Sequence, residues 1–383
     1  MRPNLLSWDE TLFKDPDVFE IDYIPDQFSF RESQFEELAL QVKPGMRGGR
    51  PSNTICRGPP GTGKTTTIKM LFQKIRESGD TLVPIYVNCQ IENTRFAIFS
   101  RIYQELFQDS IPKSGTSFKQ IFDIIGKEVV RRGVVLLICL DDSNYLLYDN
   151  ELNDLLYSLL RSHESYPGWR TGVVCIVSDM AISIANEVDN RVSSVFRPTE
   201  IYFAPYEQNE VRAILEMRVM QGFYPNVIGG ELLDLVVEKV MNTGDLRVGI
   251  DLLKRAGDEA EHDAHHAVTR EDIEKVYNIS RDLHISRTLS TLAADERAVL
   301  AAVATRALIK EDGDVPVKVL AGIVETDPGI KYTRLHEILK KCDSMRLIDL
   351  HYREGRGRSR LVTLRYDPNL ILEGTGSSRA GNK

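Results

Sequence analysis

The stretch Gly58-Pro59-Pro60-Gly61-Thr62-Gly63-Lys64-Thr65 decides the fold. It satisfies G-x-x-x-x-G-K-T, the pattern of a phosphate-binding loop, and its flanks meet the structural context that the pattern requires. Upstream, Asn53-Thr54-Ile55-Cys56-Arg57 suits a short buried strand, and downstream Thr65-Thr66-Thr67-Ile68-Lys69-Met70-Leu71-Phe72 carries apolar residues at helical spacing. A glycine turn between strand and helix lets backbone N–H groups converge on phosphates at a helix N-terminus. The nucleotide cradle is therefore expected to comprise Gly58, Pro59, Pro60, Gly61, Thr62 and Gly63, followed by Lys64, Thr65 and Thr66. Lys64 reaches the β and γ phosphates, and the Thr65 hydroxyl can hold Mg²⁺.

Strands and helices alternate beyond the loop. Leu82 to Cys89 reads as a strand, Gln90 to Phe107 as a helix, and Phe118 to Arg131 as another. Val134 to Leu140 is a continuous apolar run ending in Asp141-Asp142, followed by a helix at 150–161 and a strand from Gly172 to Ser178. Such runs suit the central strands of a parallel sheet covered on both faces, so residues 1–205 are expected to form an α/β doubly wound domain. Residues 206–287 read as a small all-α domain: Glu207–Met220, Glu231–Asn242, Leu246–Ala260, and a Thr269-capped helix through Ile279, with a link near Asp282–Ser290. Residues 288–372 read as helices at Ala294–Ala304, Pro316–Val324 and Lys331–Met345 with strands Leu347–Tyr352 and Arg360–Tyr366, which makes a winged helix-turn-helix. The Gly/Ser-rich tail 373–383 is expected to be disordered. Ahead of the loop, an acidic amphipathic segment spans Arg31 to Val42, and Lys43 to Arg50 reads as a basic turn.

A chain of 383 residues suggests two or three domains. With 42% hydrophobic and 27% charged residues it reads as globular, no apolar run is long enough for a membrane span, and the N-terminus is no signal peptide. Cys56, Cys89, Cys139, Cys175 and Cys342 lack paired spacing, which fits small buried hydrophobes in a reducing cytoplasm rather than disulfides or zinc ligands. The net charge of −8 is uneven, because residues 288–383 hold 16 Lys+Arg against 13 Asp+Glu. Only the C-terminal part is basic, an asymmetry that permits a nucleic-acid contact there without proving one.

Asp141 ends a strand, where ligands of open α/β sheets collect, and its carboxylate can bind the Mg²⁺ that bridges phosphates. Asp142 is placed to orient the attacking water, and Ser178 ends the next strand on the same edge. Arg247 opens a helix of the second domain, from which an arginine can report on the nucleotide. Arg191 and Arg197 lie near a domain junction, and Arg191 suits an arginine finger for a neighbouring subunit or a structural ion pair. In the C-terminal unit Lys331, Tyr332, Thr333 and Arg334 begin the third helix, the end that addresses bases in a major groove. The hairpin between the two strands carries Arg353, Arg356, Arg358 and Arg360 with glycines between them, which suits a phosphate backbone or a minor groove.

Taken together these residues closely resemble the archaeal replication initiators related to eukaryotic Orc and Cdc proteins, of the AAA+ class. The resemblance covers nearly the whole chain. It rests on Asp17-Val18-Phe19, Tyr23-Ile24-Pro25 and Arg31-Glu32, on the phosphate loop, and on Tyr86-Val87-Asn88-Cys89-Gln90 with Thr94. Leu140-Asp141-Asp142, Asp189 to Ser194, Phe203-Ala204-Pro205-Tyr206, Gly244-Asp245-Leu246-Arg247 and the C-terminal unit extend it. The resemblance implies that Tyr23, Ile24 and Pro25 pack near adenine, that Asp141 and Asp142 form Walker B, and that Arg247 is sensor 2. Tyr206 and Arg218 would line the nucleotide from the lid, and an insertion bearing Arg95 and Arg101 would touch DNA beside the wing. It further implies ATP or ADP with Mg²⁺, and as partners double-stranded origin DNA, the replicative helicase and paralogous initiator subunits, in the cytoplasm at the nucleoid.

Two departures from that family's pattern bear on rate. Walker B usually ends Asp-Glu, and here Asp142 is one methylene shorter; sensor 1 is usually Asn, and here Ser178 has a shorter reach. Both point to slow hydrolysis, with ATP as a switch. A different class of function also fits these residues: a P-loop ATPase that regulates transcription or protein signalling with the winged helix as its output.

Overall fold

The computed structural model describes residues 11–20, 22–25, 29–109, 115–148, 151–178, 183–309, 314–326, 329–345, 347–352 and 360–375. Five strands, β1 (Thr54–Arg57), β2 (Leu82–Asn88), β3 (Val135–Asp141), β4 (Arg170–Val177) and β5 (Thr199–Tyr202), form one sheet in the order β2-β3-β4-β1-β5. Every neighbouring pair is parallel. Parallel strands need a helical crossover between them and helices over both faces. Accordingly, Ile138, Leu140, Val173 and Cys175 pack into one core with helices Arg95–Phe107 and Phe118–Arg132. Cys56, Cys139, Val174 and Ile176 pack into another with helices Glu32–Met46 and Lys64–Ser78. All seven residues of β3 are buried, as its unbroken apolar run requires.

The register brings the chemistry to one edge. Arg57, the last residue before the phosphate loop, pairs with Val177, so Ser178 emerges beside the loop, and Asn88 pairs with Asp141 at the end of β3.

Several boundaries differ from the expectation, each for a local reason. The helix expected from Gln90 begins at Arg95, because the Asn88 side chain turns the chain by accepting the N–H of Gln90 and the Thr94 hydroxyl caps the helix at Ala97. Lys43 to Met46, read as loop, is the last turn of helix Glu32–Met46, where Pro44 lies inside the helix. Strand β5 escaped notice, since four residues with alternating burial give little signal.

Residues 13–19 are fastened to helix Gln208–Gly222 and the residue that follows it. Phe13 stacks on Phe223 at 4.8 Å, Phe19 meets Phe223 at 4.9 Å, and the N–H groups of Lys14 and Asp15 both donate to the Gly222 carbonyl. By contact the chain groups into two compact units, Met1–Asp251 and Leu252–Lys383, the division falling inside helix Leu246–His262.

In the second unit, helix Arg270–Thr291 starts at a Thr269 capping box and runs through the segment expected to be a link at 282–290. Helix Ala294–Ala307 is followed by the short strand β6 (Val315–Pro316), helices Val317–Thr326 and Tyr332–Ser344, and strands β7 (Ile348–Tyr352) and β8 (Arg360–Leu364). The strands form an antiparallel sheet in the order β6-β8-β7 around a core of Val299, Leu320, Leu335 and Val362. A further helix, Pro368–Gly374, covers that core with Ile371, so the chain is ordered beyond the expected start of the tail at 373. Residues 376–383 of that tail lie outside the described residues.

Candidate functional site

The phosphate loop turns on two glycines. Gly61 and Gly63 have φ of 73° and 84°, and a Cβ on Gly61 would meet Asp245 Oδ1 at 2.1 Å, so neither position accepts a side chain without strain. Gly63 is the N-cap of helix Lys64–Ser78, which leaves backbone N–H groups of the first turn pointing into the loop. Lys64 is buried and folds back on the loop, its ammonium donating to the carbonyls of Gly58 at 2.7 Å and Pro59 at 2.8 Å. Burial lowers its pKa to about 8, against the pull of Asp141 and Asp142, which favour the charge.

Behind the loop, Thr65 Oγ1 donates to Asp141 Oδ2 at 2.8 Å and Tyr86 Oη donates to the same oxygen at 2.5 Å. Burial raises the Asp141 pKa, and the two hydroxyls oppose it. Asp142 adopts φ 53°, a left-handed conformation that aspartate tolerates in tight turns. Both of its oxygens are engaged: Gln90 Nε2 donates to Oδ2 at 2.8 Å and Ser178 Oγ donates to Oδ1 at 3.3 Å. Arg247 Nε and Nη2 clamp Asp245, whose hydrogen bonds raise the arginine pKa, and Asp142 and Asp141 are close enough to add to that shift. Lys64, Thr65, Asp141, Asp142, Ser178 and Arg247 thus lie near one another at this edge of the sheet.

A second cluster walls the site. Arg31, 4% exposed, donates to three backbone carbonyls: Thr62 of the phosphate loop at 2.9 Å, Ala204 at 2.6 Å and Phe30 at 2.8 Å. Its guanidinium also lies 3.8 Å from the Tyr206 ring centroid. Arg218 is arranged in a similar way, donating to the Val18 carbonyl at 2.7 Å with its guanidinium 4.4 Å from the Tyr23 ring centroid; burial lowers its pKa. Ile24 lines a neighbouring cavity with Lys69 and Tyr86. Arg31, Tyr86 and Gln90 join the site with little or no sequence signal of their own for these contacts. No periodicity marks a buried arginine. The only signal for Tyr86 is an aromatic hydroxyl two residues before the ligand-side end of a strand.

Other predicted residues stand differently. Arg191 is exposed and donates to Asp189 from Nε at 2.9 Å and Nη2 at 2.6 Å, the ion-pair arrangement rather than a free finger. Arg197 is exposed. Arg95 lies over the Phe118 ring at 4.2 Å, and Arg101 pairs with Glu105 at 3.0 Å. Lys331, Tyr332 and Thr333 are exposed at the head of helix Tyr332–Ser344. Arg334 beside them is held by Asp295 at 2.8 Å and Glu337 at 3.3 Å. Arg360 opens β8 half-buried. Arg353, Arg356 and Arg358 lie outside the described residues.

Family models match two segments, an AAA domain over residues 47–174 and a Cdc6 AAA+ ATPase-type lid domain over residues 212–278. Over its whole length the chain is 45% identical to the ORC1-type DNA replication protein 3 of Haloarcula marismortui, covering 96% of this chain and 97% of that one. The chain belongs to the ORC1-type DNA replication protein family. The ORC1-type DNA replication protein 2 of Methanosarcina mazei is 42% identical over the same shares, 96% and 97%. Among solved structures, the Aeropyrum pernix ORC2 protein with ADPNP and ADP matches with a TM-score of 0.75 over 95% of this chain and 98% of that one, at 24% identity. The fold of this ORC1-type chain is therefore that of the archaeal Orc proteins, and the matched AAA and Cdc6-type lid domains make it a nucleotide-binding AAA+ ATPase. Among the described residues no helix is long and apolar enough to cross a membrane.

Proposed function

We propose that the chain is an ATP-binding replication initiator that recognises origin duplex DNA and helps recruit the replicative helicase, with ATP as a slowly hydrolysed switch. The observation that carries this reading is the 45% identity, across 96% of the chain, to an ORC1-type DNA replication protein.

The site supplies the chemistry. Entering phosphates replace the Gly58 and Pro59 carbonyls as partners of Lys64 and meet the free N–H groups of the helix start. Thr65 and Asp141 offer oxygen donors, 2.8 Å apart, that fit a hard divalent cation such as Mg²⁺. When bound, Mg²⁺ neutralises charge on the β and γ phosphates. Tyr23, Ile24 and Pro25 face the base with Tyr206 and Arg218, and Arg247 reads the γ-phosphate as sensor 2. Asp142 orients the attacking water. Its oxygens must first be released by Gln90 and Ser178, which supports slow hydrolysis. Turnover at the pace of a motor ATPase would overturn the switch.

Residues 206–287 serve as the lid and residues 288–372 as a winged helix in this reading. The exposed head of helix Tyr332–Ser344, with Lys331, Tyr332 and Thr333, supports a groove contact. Arg353, Arg356, Arg358 and Arg360 of the wing act with it on DNA, and Arg95 and Arg101 add a contact from the insertion. Arg191 reaches a paralogous subunit only by leaving Asp189. The chain works in the cytoplasm at the nucleoid. Genome-wide occupancy of the wild-type and Lys64→Ala proteins tests the reading. Enrichment at one or two intergenic repeat clusters, changed by Lys64→Ala, is expected, whereas dispersed promoter occupancy would favour a transcription regulator.

A further inference from the structure

Asp141 stands buried at the end of β3, and its two oxygens are held unequally. Oδ1 accepts one backbone N–H, from Asp142 at 3.0 Å, whereas Oδ2 accepts two hydroxyls, Thr65 Oγ1 at 2.8 Å and Tyr86 Oη at 2.5 Å. The hydroxyls come from different elements, Thr65 from the helix after the phosphate loop and Tyr86 from the edge strand β2. Thr65 has a second duty as the residue whose oxygen meets the metal. Asp141 is the one hydrogen-bond partner of the Tyr86 hydroxyl among the described residues. The ring packs against the core on one side and borders a cavity of about 580 Å³, shared with Ile24, Lys69, Phe72 and Gln73, on the other. The Lys69 ammonium stands 5.6 Å from the ring centroid, so the flank is polar as well as open.

A carboxylate that serves a metal needs a defined rotation about its own bond, and donors to its oxygens supply that definition. We propose that Tyr86 is a positioning residue for the magnesium ion: its hydroxyl, donated to Asp141 Oδ2, sets the rotation in which the carboxylate meets the metal accompanying the nucleotide. The proposal rests on the reading that Thr65 and Asp141 serve Mg²⁺. Tyr86 itself touches neither nucleotide nor metal. It links the metal site to strand β2, which leads into the turn at Gln90, so one strand end supplies a donor to each of the two Walker B carboxylates.

The test is a titration of the full chain with a fluorescent ATP analogue, in EDTA and across a range of Mg²⁺ concentrations, for wild type, Tyr86→Phe and Asp141→Asn. Wild type gains affinity as Mg²⁺ rises, and Asp141→Asn loses most of that gain. Tyr86→Phe requires about tenfold more Mg²⁺ for half of the gain, the size typical of losing a donor behind a metal-binding carboxylate. Its affinity in EDTA and its thermal midpoint stay at the wild-type values. If Tyr86→Phe follows the wild-type Mg²⁺ curve while Asp141→Asn does not, the positioning role is overturned and the metal reading stands. If wild type gains nothing from Mg²⁺, or Asp141→Asn keeps the full gain, the metal reading falls and takes the proposal with it. An equal loss with and without Mg²⁺ in Tyr86→Phe makes Tyr86 a packing residue and also overturns the proposal.

Discussion

The nucleotide site and the head of helix Tyr332–Ser344 are both built from charged residues that the sequence singles out, yet their cations are partnered in opposite ways. Around the phosphate loop the buried cations have backbone partners: Lys64 donates to Gly58 and Pro59, and Arg31 to Thr62, Ala204 and Phe30. Among the described residues Arg31 has no carboxylate partner. At the second site Arg334 is neutralised in place by Asp295 and Glu337, and nearby Lys341 is held by Glu296 at 2.8 Å. Buried charges are normally paired or neutralised, and cations held by neutral carbonyls beside a phosphate cradle keep their full charge for an anion to meet. The C-terminal arginine already has its anions.

The largest effect that would break this contrast lies at Arg31. Arg31→Ala leaves the Thr62 and Ala204 carbonyls without donors and strips the cation from Tyr206. We expect a loss of about 3 kcal/mol in stability, read as a lowered unfolding midpoint, together with weaker nucleotide binding. Arg31→Lys, which keeps the charge but cannot span three carbonyls, restores only part of the stability. If saturating nucleotide protects Arg31→Ala as much as it protects wild type, Arg31 belongs to the scaffold and not to the site.

What the sequence revealed of these two regions follows from the same difference. The phosphate loop, the strand ending in Asp141 and the helix starting at Lys64 are local patterns, because glycine conformations and apolar runs are dictated over a few residues. That Ser178 and Asp142 share one sheet edge was legible too, since parallel strands end on the same side, but the strand order β2-β3-β4-β1-β5 was not. Partners that come from far along the chain were not. Arg31 finds Ala204 across 173 residues, and Arg334 finds Asp295 across 39. Neither pairing leaves a periodicity to read. The helix through 282–290 was missed for a subtler reason: its polar residues look like a linker unless the capping box at Thr269 is allowed to propagate that far.

A smaller effect sharpens the first half of the contrast. Burial holds the Lys64 pKa near 8 in the nucleotide-free protein, and a bound polyphosphate favours the charged form and raises it again. Affinity is therefore fully present below about pH 7 and falls as pH rises through the free-state value, reaching roughly tenfold weaker binding at pH 9. Lys64→Arg, charged throughout, flattens the profile even where its absolute affinity is lower. A wild-type profile flat to pH 10 would show that Lys64 keeps its proton without nucleotide, and that the carbonyls of Gly58 and Pro59 are sufficient partners.

The smallest effect separates neighbours within the second region. Lys331 and Arg334 stand three residues apart at the head of one helix and both are exposed, so charge alone predicts that each releases a counterion when DNA binds. Their partners predict otherwise. Arg334 already spends its guanidinium on Asp295 and Glu337, and moving to a phosphate would strand two carboxylates against the DNA backbone. Measured as the dependence of DNA affinity on salt, Lys331→Ala should lower the slope by about one, and Arg334→Ala should leave it unchanged while loosening the contact with helix Ala294–Ala307. Asp295→Asn is the converse experiment. It removes the nearer of the two carboxylates that hold Arg334, leaving Glu337, and also removes a negative charge, so the slope should steepen, and the part due to Arg334 should vanish when Arg334→Ala is combined with it. A steeper slope that survives in the double variant would assign the gain to the lost carboxylate alone, and Arg334 would then be a structural residue whatever its place on the helix.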